Sequence, residues 1–144
     1  EVYHDSRMLD TFRESVDALV DGKNLIVFPE CPKPHSSFVN DIYGGFAEIG
    51  KLYFGLTGKA LKFFPAYVCE DLKKISVGKP VVFNPELPTR QQRNVIREGI
   101  RDGIDRLGKL LPEHKPHPFL TEEWYETYGE YVDNPLEYWK LFDE

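Results

Sequence analysis

Gly22-Lys23-Asn24-Leu25-Ile26-Val27-Phe28-Pro29-Glu30 joins a helical pattern to a proline-rich loop, and its centre, Leu25–Phe28, is as long as any uninterrupted apolar run in the chain. A polar entry into a continuous β-prone run, bounded by glycine and proline, predicts a central strand buried on both faces. Immediately upstream, Leu9, Phe12, Val16, Leu19 and Val20 recur on one face at helical spacing. Ser6 is placed to cap that helix, and Gly22 stands where a left-handed residue usually ends one. Residues 1–4 read as the end of a short preceding strand. Helix, glycine and buried strand make half of an α/β unit, so the expected fold is α/β, with a mixed, largely parallel sheet flanked by helices and a C-terminal helical tail.

Downstream, Pro29–Ser37 holds three prolines and two serines and reads as a loop. It begins where the buried strand ends, and ligands in open α/β sheets gather at the carboxyl ends of strands. A second helix is expected over about Val39–Phe54, with Ile42, Phe46, Ile49 and Tyr53 on one face, locally weakened by Gly44-Gly45. Leu61–Val68 and Ile75–Phe83 read as strands, the second interrupted by Gly78-Lys79-Pro80. Pro88-Thr89 opens the clearest helix, in which Ile96, Ile100, Ile104, Leu107 and Leu111 share a face and Pro112 is the stop. Its other face carries Arg93, Arg97 and Arg101 among Glu98, Asp102 and Asp105, the pattern of a solvated, charge-balanced surface. A phosphate- or membrane-facing stripe is the sharper alternative.

The chain of 144 residues is 41% hydrophobic and 29% charged, the content of one ordinary globular domain. Its formal charge of −6 argues against a general nucleic-acid binder. The acidity is local: residues 121–144 carry eight acids and one base, a net of −7, whereas residues 1–120 sum to +1. That tail also holds seven of the 20 aromatic residues, too many for a disordered acidic segment, and reads as two short helices that dock on the body or on a protein partner. Cys31 and Cys69 form no disulfide framework and indicate a reducing, cytoplasmic setting. No stretch approaches the ~20 apolar residues of a membrane-spanning helix, which leaves peripheral contact as the expected membrane association. The first residue is Glu1, with no Met and no signal-like region, the pattern of a chain that belongs to a longer protein.

Among candidate chemistries, Phe28-Pro29-Glu30 stands first. A carboxylate at the mouth of a buried strand, on a proline-held loop, is placed to accept hydrogen bonds from a substrate or to orient an arginine. Arg7 precedes it by 23 residues, after another apolar strand end, and Pro65 follows it by 35, inside a second apolar strand. Cys31-x3-His35 offers a thiol and an imidazole on one loop, although no helix N-terminus is aimed at the thiol. Cys31, His35, His114 and His117 have feasible zinc-ligand spacings but come from distant loops, and no metal site is expected. Neither Gly44-Gly45 nor Gly55-x2-Gly58 fits a nucleotide-binding loop.

The ordered set resembles the glycerolipid acyltransferase family, the lysophosphatidic acid acyltransferase-like proteins. Leu25-Ile26-Val27-Phe28-Pro29-Glu30 matches the start of a family motif that runs strand, then Phe-Pro-Glu-Gly-Thr-Arg-Ser. Val2-Tyr3-His4-Asp5-Ser6-Arg7 is similar to an earlier motif whose arginine contacts glycerol phosphate. Phe64-Pro65-Ala66-Tyr67-Val68 is similar to a later strand centred on proline, and Ser76-Val77-Gly78-Lys79-Pro80 to the family's Val-x-x-Gly-x-Pro pair. The likeness covers about residues 2–112. It departs after Glu30, where Gly-Thr-Arg is replaced by Cys31-Pro32-Lys33. Pro32 removes an amide donor, and Lys33 keeps the charge without the bidentate fork, which leaves open an acceptor other than a phosphate ester.

The resemblance implies a glycerol-3-phosphate acyltransferase-like domain over residues 1–112, the C-terminal part of such a domain, then a linker at 113–120 and the acidic aromatic tail at 121–144. It implies transfer of an acyl group from acyl-CoA or acyl-carrier protein, as co-substrate rather than bound cofactor, to a lysophospholipid-type hydroxyl. Arg7, Phe28, Pro29, Glu30 and Lys33 would form the acceptor site. The family's catalytic Asn-His-x4-Asp has no counterpart: His4 is followed by Leu9 at the Asp position, so the pair is expected before Glu1. A non-catalytic lipid- or protein-binding module of the same fold is the alternative.

Overall fold

The computed structural model describes residues 7–31, 37–116 and 121–133. Helix α1 (Arg7–Val20) comes first, and further along the chain a short 3-10 turn (Gly45–Ala47) leads into helix α2 (Glu48–Thr57). Strands β1 (Lys62–Phe63), β2 (Ala66–Cys69), β3 (Lys74–Val77) and β4 (Val81–Val82) come next, before the long helix α3 (Thr89–Leu110) and the tail helix α4 (Glu122–Asp133).

The described residues form two antiparallel two-stranded ladders in place of the expected largely parallel sheet. β2 pairs antiparallel with β3, from Ala66↔Val77 to Cys69↔Lys74, and β1 pairs antiparallel with β4. Gly78 N donates to Pro65 O at 2.9 Å and Phe83 N to Leu61 O at 2.9 Å, so the two ladders form one hairpin, bent where Phe64-Pro65 faces Gly78-Lys79-Pro80. Connection length explains the correction. Only Glu70–Lys73 lie between the last paired residues of β2 and β3, and a parallel crossover needs a dozen or more.

Leu25–Phe28 forms no strand. Leu25 is half-buried, but Ile26 is 84% and Phe28 86% exposed. The nearest pairing is an isolated antiparallel bridge between Glu30 and Ile42. The apolar pattern that predicted a central strand therefore describes a surface segment tethered at its ends.

Two apolar clusters hold the elements. In the first, Phe12 and Val16 of α1 meet Ile49 of α2, with Leu19, Leu25, Tyr53 and Leu61 packed around them. In the second, Ile96 and Ile100 of α3 meet Val39, Ile42, Ala47 and Phe83. The expected face of α3 is thus the buried one. α1 ends as expected: Gly22 has φ +80°, and Lys23 N donates to Ala18 O at 2.9 Å, a bond that satisfies an orphan carbonyl.

The helix expected over Val39–Phe54 begins only after the glycine pair, at Glu48. Val39 and Ile42 are buried from an extended segment instead.

Close approach shapes the packing of α3 on the hairpin. A Cβ at Gly99 would stand 2.7 Å from Val81 Cγ2, one at Gly103 2.6 Å from Pro65 Cγ, and one at Gly108 2.5 Å from Phe38 Cγ. These glycines let the helix backbone rest on the bent hairpin and on Phe38. In the tail, Thr121 caps α4 by accepting from Trp124 N at 3.1 Å, and Trp124 stacks on Tyr128 with ring centroids 5.1 Å apart. The second tail helix expected after Asn134-Pro135 lies outside the described residues, as do residues 1–6 and 117–120.

Candidate functional site

The bridge at Glu30 fixes the loop that the sequence singles out. Tyr43 N donates to Pro29 O at 2.8 Å, Cys31 N donates to Asp41 O at 2.7 Å, and Asn40 Nδ2 donates to Cys31 O at 3.3 Å. Pro29 and Glu30 are half-buried as a result, whereas Phe28 projects into solvent. Of the five expected acceptor-site residues, these three are described. Arg7 opens α1, but its side chain lies outside the described residues, and so does Lys33.

Beside Glu30 the fold assembles groups that the sequence does not bring together. Tyr67 on β2 points its hydroxyl at His114 Nε2, 2.9 Å away, across 47 positions of chain. The other imidazole nitrogen, Nδ1, lies 3.3 Å from Leu111 O. A carbonyl only accepts, so Nδ1 carries the proton and Nε2 accepts from the tyrosine in the neutral ring. Phe38 covers both, edge-on to Tyr67 at 5.9 Å and tilted over His114 at 4.9 Å. Burial pushes the Tyr67 phenol above its ordinary value of 10.0, and Cys69, Asp71 and Glu30 add to the rise by disfavouring the phenolate. Glu30 is the smallest of these influences on Tyr67, the one that comes from the Pro29-Glu30 loop.

The geometry decides several other readings. His114 spends both ring nitrogens on Tyr67 and Leu111, so it is a structural staple rather than a zinc ligand. His35 and His117 lie outside the described residues, and among the described residues no group of three or more His, Cys, Asp or Glu side chains could hold a metal ion. Cys31 and Cys69 are not joined in a disulfide; Cys69 is buried and Cys31 half-buried.

The arginine face of α3 is charge-balanced. Arg93 Nη2 meets Glu48 Oε1 at 2.6 Å, Arg97 meets Glu98 at 2.7 Å, and Arg101 lies 3.6 Å from Asp41 and 3.9 Å from Asp102. No helix of the described residues is long and apolar enough to cross a membrane.

Tyr67 was visible in the sequence only as part of the Phe64–Val68 strand, and His114 only as one of two linker histidines. No spacing rule connects them, because their contact depends on how α3 returns over β2. Comparison with protein-family models, with curated proteins and with solved structures found no match.

Proposed function

We propose that this chain is the acceptor-binding part of a lysophospholipid-type acyltransferase. The observation that carries the reading is the Phe28-Pro29-Glu30 loop, pinned to Asp41–Tyr43 with Glu30 within electrostatic reach of Tyr67 on the proline-centred strand. Nearness of the Glu30 loop to the strand that carries Pro65 and Tyr67 is in keeping with this reading.

In this reading Arg7 and Lys33 pair with anionic oxygens of the acceptor, and Glu30 hydrogen-bonds the acceptor or holds Arg7. The acceptor hydroxyl oxygen attacks the thioester carbonyl of acyl-CoA or acyl-carrier protein. A C–O bond forms, the C–S bond breaks, and the proton of the hydroxyl passes through a base to the departing thiolate. That base, with its orienting carboxylate, is supplied by residues preceding Glu1. His114 is not it, since Tyr67 and Leu111 occupy its nitrogens. The chain acts on the cytoplasmic side, in peripheral contact with a membrane, and the acidic aromatic tail engages a protein partner or the body.

The test is acyl transfer from acyl-CoA to lysophosphatidate by the protein that carries this chain together with its preceding residues. Arg7→Ala and Glu30→Gln should each lower kcat/KM for the acceptor by tenfold or more, with folding unchanged. Wild-type turnover of both variants at low acceptor concentration sinks the assignment. A second reading, a non-catalytic lipid-binding module, is favoured by the exposure of Ile26 and Phe28. It predicts binding of lysophospholipid vesicles by the same protein without any acyl transfer.

A further inference from the structure

Away from the Glu30 loop, helix α2, the start of α3 and the Phe83–Thr89 connection enclose an open cleft of about 320 Å³. That is roughly ten water volumes and lies within the usual range of small-ligand sites. Its floor is apolar: Phe54 and Phe83 lie with ring centroids 5.7 Å apart, and Ala47 and Leu87 line it beside them.

One wall is built by Gln92, which is only 4% exposed. With its amide oriented to satisfy both partners, it donates to Asn84 O at 3.0 Å and accepts from Asn84 N at 2.8 Å, which holds the connection against α3. It shapes the cleft, with its pairing to Asn84 fixing how the amide lies.

The polar groups left at the rim are few. Arg93 is engaged by Glu48 at 2.6 Å, an ion pair that neutralises both. Lys51 Nζ donates one hydrogen bond, to Thr89 Oγ1 at 3.3 Å, and an ammonium has two more N–H groups to give. The charged lining residues Glu48, Lys51 and Arg93 therefore sum to a single positive charge over an apolar floor. We infer that this cleft binds an amphiphilic monoanion, a carboxylate on an apolar body of about eight carbons, with the chain on Phe54 and Phe83 and the carboxylate on Lys51 and Thr89. The site is separate from the acceptor loop and does not rest on the acyltransferase reading.

Octanoate is the probe and 1-octanol its uncharged control, titrated into the uniformly 15N-labelled chain and followed by amide shifts. Octanoate should shift residues of α2 and of Phe83–Arg93 saturably, with a dissociation constant on the order of 1 mM for so small a ligand.

Two variants keep the fold. Lys51→Met should weaken octanoate about two- to fivefold, the worth of an exposed charge pair, and leave octanol unchanged. Gly55 lines the cleft from within α2, and a Cβ there meets nothing within 4 Å, so Gly55→Leu should fill the space and weaken both probes tenfold or more. The inference is overturned by shifts confined to Ile26–Phe28, by wild-type affinity in Gly55→Leu, or by an equal loss of both probes in Lys51→Met.

Discussion

Alanine at Gly103 sets two opposed effects against each other. Gly103 lies inside α3, where Gly→Ala ordinarily stabilises by about 1 kcal/mol through helix propensity. Its new Cβ would stand 2.6 Å from Pro65 Cγ and 2.8 Å from Pro65 Cβ. Comfortable carbon contacts are about 3.5–4.0 Å, so the helix and the hairpin must part by roughly 1 Å. Pro65 is buried and rigid, and its carbonyl holds Gly78 N at 2.9 Å, so it cannot swing aside as a flexible side-chain tip would. Overpacking of this kind costs about 1–3 kcal/mol, leaving a net loss of about 0–2 kcal/mol for Gly103→Ala.

Gly55 is the internal control, also inside a helix but with open space at its Cβ position, and Gly55→Ala should gain the full ~1 kcal/mol. Urea unfolding of the two variants should therefore differ by about 1–3 kcal/mol, with Gly55→Ala the more stable. Adding Pro65→Ala to Gly103→Ala should recover much of the difference. If Gly103→Ala stabilises as much as Gly55→Ala, the helix does not rest on the hairpin at Pro65 and the packing described is wrong.

Tyr67→Phe removes the donor to His114 Nε2 and should cost about 1–2 kcal/mol in urea unfolding near neutral pH. The same variant reports on pH. Because the folded-state pKa of Tyr67 is raised, its contribution is complete below the unfolded value of 10.0 and is lost as pH climbs from there through the folded value. The wild type should therefore lose stability relative to Tyr67→Phe above about pH 10, and a constant difference across pH 8–11 would contradict the burial of the phenol. A double-mutant cycle on Arg93 and Glu48, both partly exposed, should return a coupling of about 0.2–1 kcal/mol that shrinks in 1 M salt. Ile26→Ser with Phe28→Ser should change stability by no more than about 0.5 kcal/mol while improving solubility, since neither side chain is packed. A loss above about 2 kcal/mol would mean that the run is buried after all.

Sequence periodicity reads α3 well because Ile96, Ile100 and Ile104 face one hydrophobic cluster, and a single packed face is what helical spacing encodes. Both arms of the hairpin were also legible as strands. The largely parallel sheet expected around them was wrong, and the short connection between the two already excluded a parallel pairing of this pair. Leu25–Phe28 misled for a different reason: composition reports what a segment prefers, and only a ladder partner decides whether that preference is met. In this fold the nearest partner is the one bridge at Ile42. Of the site, Pro29 and Glu30 were legible as a loop at the end of an apolar run. The Tyr67–His114–Phe38 cluster was not, because three side chains from three separate segments leave no mark on spacing.

The exposed run also has a signature in time. Lys23 N is tied to Ala18 O and Cys31 N to Asp41 O, whereas no amide of Asn24–Phe28 donates to a partner among the described residues. Exchange with deuterated solvent should therefore divide sharply along a few residues of chain. Asn24–Phe28 should label within the dead time of the measurement, and the flanking amides only as fast as the helix end and the Ile42 bridge open. Between two slow clocks the polypeptide keeps one fast one, and an added protease would find the same window first.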